Sequence, residues 1–238
     1  MPNQNKINAA TPVTVPNGGT GVNTFTTPYG VLCGGTTATN NLQNAGAGTS
    51  AQVFVSNGSS TLPSFKDASQ AGASMKLIQT QTASSSATID FTTGVTSTYD
   101  AFMVYISSYT PATNTTTLRM LVSTNGGSSY QTANYQSGVE QRAYNIAAWQ
   151  NFSTAVAYFY VLNSVNNTGK HGSYFHIIDG TNGNAMKIFG QGIFNSNGTT
   201  TYTQNIGRHT ATNINALRFI PTSGAITTGT FSLYGILK

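Results

Sequence analysis

Ala101-Phe102-Met103-Val104-Tyr105-Ile106-Ser107 and Thr115-Thr116-Thr117-Leu118-Arg119-Met120-Leu121-Val122-Ser123 are the two runs that decide the fold class of this chain. Each alternates with a period of two and is rich in β-branched, aromatic and threonine side chains, the pattern of a half-buried strand. The second runs straight into Thr124-Asn125-Gly126-Gly127-Ser128-Ser129, where Asn and Gly supply the left-handed backbone of a tight turn.

Outward from there, similar segments lie near 75–82, 86–91, 129–136, 139–147, 154–163, 172–179, 185–195, 200–210, 213–220 and 229–237, joined by turn residues. Their number and spacing predict an all-β fold for residues 75–238, an antiparallel two-sheet sandwich of jelly-roll type. The stretch 154–163 has apolar residues on both parities: Ala155, Ala157, Phe159 and Val161 on one, Val156, Tyr158, Tyr160 and Leu162 on the other. Two readings fit it. One face meets the opposite sheet and the other meets a neighbouring subunit, or the strand is central and lies under a long loop.

Residues 1–74 have a different composition. Their apolar residues are sparse and separated by Gly, Thr, Asn and Ser, as in Asn17-Gly18-Gly19-Thr20-Gly21. Such a segment either stays a flexible linker or orders by burying its few anchors against copies of itself. The anchors are Phe25, Tyr29, Val31, Leu32, Val53, Phe54, Val55 and Phe65. The expectation is an extended stalk or collar, wound with two other copies about a threefold axis.

Composition narrows the function classes. Only 6% of the 238 residues are charged, against roughly 25% in an average soluble chain, yet 12 Phe and 12 Tyr argue against disorder. The ten basic residues are scattered, so no nucleic-acid partner is expected. One cysteine, Cys33, leaves no intrachain disulfide and no cysteine-based metal site. The first ten residues lack the apolar core of a signal peptide, and no run of about 18 apolar residues occurs, so cytoplasmic synthesis without membrane insertion is expected.

Catalytic chemistry has little to draw on. Asp67, Asp90, Asp100, Glu140 and Asp179 are the only carboxylates, and each lies near an expected strand end, where turn formation explains it. A glycan depolymerase using two of them remains open only through a site built across subunits. His171, His176 and Asp179 fall close together, but in an extended strand His176 and Asp179 point to opposite faces, so no metal site and no cofactor are expected. Arg119 and Arg218 sit in similar strand settings that suit packing or an interface pair. For binding, aromatic rings that stack on sugars and amides that bond hydroxyls are richest in 130–152: Tyr130, Tyr135, Arg142, Tyr144 and the single Trp149. For a lone Trp, filling the core or a subunit interface is the stronger expectation than a binding role.

Val15-Pro16-Asn17-Gly18-Gly19-Thr20-Gly21, Thr24-Phe25-Thr26, Tyr29-Gly30-Val31-Leu32, Ala45-Gly46-Ala47-Gly48-Thr49, Gln52-Val53-Phe54-Val55-Ser56-Asn57-Gly58 and Pro63-Ser64-Phe65 together resemble, in order and spacing, a module of bacteriophage tail fibres. Cys33 and Phe54 depart from that pattern. Tyr109-Thr110-Pro111-Ala112-Thr113, Ser123–Tyr130 and the closing Gly229-Thr230-Phe231-Ser232-Leu233-Tyr234-Gly235-Ile236 resemble a domain found at the ends of phage fibre proteins. The resemblance implies a non-enzymatic virion protein, commonly a homotrimer, whose N-terminal region attaches to other tail or capsid proteins. It further implies a distal domain that meets a bacterial surface glycan. A head fibre, decoration or baseplate protein without a receptor role is the alternative.

Overall fold

The computed structural model describes residues 27–35, 40–68, 74–143 and 148–237, with the side chain of Trp149 outside that description. Phe25, Tyr144 and the whole of Gly18-Gly19-Thr20-Gly21 also lie outside it. The chain divides into two units, Met1–Ala73 and Ser74–Lys238.

In the first unit the described residues form two short antiparallel ladders. β1 (Leu32–Cys33) pairs with β2 (Gln43–Asn44), and β3 (Gln52–Val55) pairs with β4 (Ser64–Asp67). Phe54 faces Phe65 directly across the second ladder, ring centroids 5.0 Å apart. None of the described residues 27–68 is buried. Tyr29 stands fully in solvent, Leu32, Val53 and Phe54 are exposed, and Val31, Val55 and Phe65 are half-buried. Short ladders of this kind cannot enclose a core, because they have one layer and no second face to close it.

The second unit is antiparallel throughout and contains no α-helix among its described residues. Its strands are β5 (Met75–Ser86), β6 (Ile89–Phe91), β7 (Tyr99–Pro111), β8 (Thr116–Ser123), β9 (Tyr135–Ala143), β10 (Trp149–Val156), β11 (Phe159–Val165), β12 (His171–Ile178), β13 (Met186–Ser196), β14 (Thr199–His209), β15 (Ala216–Pro221) and β16 (Ile226–Leu237). An eight-stranded sheet has the order β10-β9-β14-β13-β12-β7-β16-β5, and a four-stranded sheet the order β11-β8-β15-β6. The first and last strands of the unit, β5 and β16, pair with each other. Between them the chain passes back and forth between the sheets, and the hairpins β9–β10 and β13–β14 widen the larger one.

The two sheets bury one shared core. In β8, Thr116, Leu118, Met120 and Val122 point inward while Thr117, Arg119 and Leu121 point out. In β7, Phe102, Val104 and Ile106 do the same from the opposite sheet. Phe219 of β15 lies among Phe91, Phe175 and Phe231 at centroid distances of 6.2, 5.8 and 5.3 Å, so its ring bridges the layers. A second bridge is polar. The Tyr135 hydroxyl accepts the Val122 N–H at 2.9 Å and donates to the Gln131 carbonyl at 3.1 Å, while its ring packs edge-on against Phe159.

The sequence expectations hold for most strands but fail in two places. Residues 130–134 form no strand, since Asn134 takes a left-handed φ of 67° and delivers the chain into β9 only at Tyr135. The stretch 154–163 is not one strand with two apolar faces. It leaves the large sheet after Val156 and enters the small one at Phe159, and register shifts beyond Tyr160 and Leu162 bury the consecutive Val161 and Leu162. Its double apolar parity therefore reflects a crossover with bulges, and carries no argument for a subunit contact.

Because Phe219 touches aromatic rings from both sheets, Phe219→Ala should cost about 3–5 kcal/mol of stability. A lower urea midpoint at unchanged slope would show it, and a loss below about 1 kcal/mol would mean that the layers are held elsewhere.

Candidate functional site

The inner face of the large sheet is committed to the core, so its chemistry lies on the outer face. Register places side chains there in rows across the strands. One row runs Glu140, Gln204, Gln191, Tyr174, Tyr105. The next, two residues along, runs Arg142, Tyr202, Ile193, Gly172.

Between these rows lies a trough of about 280 Å³, walled by Tyr105, Tyr174, Tyr202 and Ile193 with Gln191 between them. Gly172 stands in the Tyr202 row without a side chain, and that gap opens the trough. The Tyr174 hydroxyl donates to Gln191 Oε1 at 2.8 Å, which fixes both side chains. Tyr105, Tyr174 and Tyr202 are 39–48% exposed, enough to offer ring surface while remaining packed at their bases. No Asp, Glu, Lys or Arg lines it. At the Tyr202 end the surface continues into a wider, open depression bordered by Arg142, Thr199 and Thr200.

Of the described residues singled out from sequence, only Arg142 adjoins this site, while Tyr144 and the Trp149 side chain lie outside that description. Arg142 is exposed and pairs with Glu140 at 3.1 Å, and Gln150 also donates to that carboxylate. Tyr135 is fully buried, with burial pushing its hydroxyl up to about 12, and cannot meet a ligand. Tyr130 is half-buried, and the Arg218 guanidinium lies 4.0 Å over its ring. Arg218 in turn forms a two-pronged bond with Asp90 at 2.8 and 2.6 Å, a structural pair on the small sheet, as its strand setting suggested. Burial, then the neighbouring Asp90 carboxylate, raise the Tyr130 hydroxyl. Arg119 likewise covers Tyr158 at 4.9 Å.

The trough tyrosines escaped the sequence reading because they come from β7, β12 and β14, far apart in the chain. The usable signal was the outward parity of β7, β12 and the intervening β13. It carries Met103 and Tyr105, Tyr174 and His176, Phe189 and Ile193, where a solvated sheet would place charge.

The histidines and Asp179 are engaged locally. His171 Nδ1 accepts the Asn195 N–H and its Nε2 donates to the Asn166 carbonyl. His209 is held in the same way by Ala211 and Ala133. His176 points outward and stacks on Phe189, while Asp179 binds Lys187 at 2.6 Å, which lowers its carboxyl. Among the described residues no group of three His, Cys, Asp or Glu is placed to hold a metal ion, and no helix is long and apolar enough to cross a membrane.

No family model, curated protein or solved structure matches this chain.

Burial lowers both His171 and His209 below the ordinary histidine value, and protonating Nδ1 would also break an N–H bond to it. A histidine depressed in the fold binds fewer protons folded than unfolded, so its contribution is complete above the unfolded value near 6.5 and declines below it. The urea midpoint should therefore fall between pH 7.5 and 5, and the His171→Gln, His209→Gln double variant should flatten that fall. Equal wild-type midpoints at the two pH values would contradict it.

Proposed function

We propose that the protein is a non-enzymatic, fibre-like structural protein of a bacteriophage virion whose second unit attaches to a bacterial surface glycan through the tyrosine trough. The virion part rests on the resemblance of residues 15–65 to a tail-fibre module. The glycan part rests on one observation: an uncharged trough walled by three half-exposed tyrosines. Rings held at their bases stack on the C–H faces of pyranoses at little entropic cost, and Gln191 and Gln204 supply amides for hydroxyls.

In this reading the second unit is a jelly roll. β5, β16, β7 and β12 form one half, β6, β15, β8 and β11 the other, and the two inserted hairpins extend the first half to make the surface that carries the trough. The first unit is a stalk or collar of a homotrimer, joined to other tail or capsid proteins. Its exposed anchors Tyr29, Leu32, Val53 and Phe54 suit burial against other chains. Three weak sites per fibre, and several fibres per particle, give strong attachment by effective concentration. A binding role accords with the carboxylates, since Asp90, Glu140 and Asp179 are each paired with a cation of their own.

The structural alternative, a head-fibre, decoration or baseplate protein, draws support from a row of exposed apolar side chains beside the trough, since such a subunit needs only interfaces. One experiment separates the two. Purified full-length protein should bind host cells saturably and block phage adsorption, and Tyr174→Ala or Tyr202→Ala should weaken that binding roughly tenfold or more, about 1.4 kcal/mol. Absence of both effects in folded wild-type protein favours the structural role. Binding that survives both substitutions puts the receptor site elsewhere.

A further inference from the structure

The outer face of the large sheet carries a second feature beside the trough, two residues along the strands from its Tyr105–Tyr174–Gln191 wall, about 7 Å at roughly 3.3 Å per residue. There Phe152, Ile206, Phe189, Met103, Tyr234 and Leu77 fall in register, one row across the sheet from β10 to β5, with Gly138 and His176 completing it. Phe152, Ile206, Phe189 and Leu77 are 59%, 55%, 48% and 50% exposed. The row contains no Asp, Glu, Lys or Arg.

We propose that this row is an interface at which the second unit packs against the equivalent row of further copies of the same chain. Taking about 200 Å² for each such side chain, the row with flanking Met75 and Ile178 offers on the order of 700 Å² of apolar surface per copy. That exceeds the roughly 300–600 Å² patch of an ordinary monomer and approaches the roughly 800 Å² per partner of a stable contact.

The identity of the occupant follows from the surface itself. A partner of different chemistry would be recognised by charges, and the row has none; its polar groups are the His176 imidazole, stacked on Phe189, and the Tyr234 hydroxyl. The row does have relief of both signs, since Phe189 and Leu77 protrude while a cleft of about 460 Å³ opens beside Gly138, between Phe152 and Ile206. Gly138 makes that cleft, because a side chain there would collide with Phe152. A protruding apolar side chain of one copy can enter the cleft of another. Lys187 and Arg208 both border the cleft, and Asp179 neutralises the first of them. Two-fold or three-fold closure both satisfy this contact.

The test uses the full chain with Cys33→Ser as background. A thiol introduced by Ile206→Cys should react with a maleimide roughly tenfold slower than one introduced by Ser128→Cys in the loop after β8, and dilution should restore its rate by mass action. Adding Phe189→Lys, directly across the ladder from position 206, should abolish the protection. Equal reactivity at the two positions at every concentration overturns the interface, and so does protection that neither dilution nor Phe189→Lys removes. Cell binding does not enter this readout, so its failure is distinguishable from failure of the glycan site.

Discussion

Face-to-face contact between two apolar sheet faces, concentrated at Phe219, is the constraint on which the rest of the second unit depends. A β-sheet buries one face well only against another layer. Here the smaller layer has four strands and the larger has eight. Phe219 reaches Phe175 and Phe231 on the larger sheet while touching Phe91 on its own, and the Tyr135 hydroxyl bonds the backbone of β8 from β9. With the layers so joined, the parity of every strand is fixed, and one residue of slip would exchange core for surface.

That parity explains why so polar a chain can present an apolar surface. The inward positions of β7, β12, β13 and β14 are used up by the core, and the outward ones hold Tyr105, Tyr174, Phe189, Ile193, Tyr202 and Ile206 instead of the charged residues usual on a solvated sheet. Solubility falls to Thr, Asn, Ser and Gln in turns and edge positions. With 6% charged residues, a surface of this kind works by ring faces, amides and shape, and little by long-range fields.

The sequence was most readable where one strand lies squarely in one sheet. β8, β12 and β14 alternate cleanly, and their boundaries lie within a residue or two of the expected ones. It misled where the chain changes layers. From Val156 to Phe159 the crossover preserves an apolar run that periodicity alone reads as one strand, and the bulge that buries both Val161 and Leu162 has no signature in residue type. The trough was hidden for a different reason. Tyr105, Tyr174 and Tyr202 meet only through cross-strand register, a property of pairing that no local window contains, whereas the aromatic-rich segment 130–152 stood out because its residues are close in sequence. Closeness in sequence instead put Tyr135 in the core and Tyr130 under Arg218.

The trough and the apolar row share a face but make different demands on it. A site for a hydrated glycan must stay open to solvent, while a protein interface must exclude it, so the two can coexist only if they are separated along the strands. The hairpin β13–β14 supplies that separation, because Phe189 and Ile206 lie on its legs and Ile193 and Tyr202 lie nearer its tip. Packing copies at the first pair would leave the second at the rim, with the trough of each copy facing outward near those of its neighbours. A four-stranded half without the inserted hairpins would have room for one of these surfaces. On this view the widening of a single sheet lets the same face hold copies together and present several binding sites side by side.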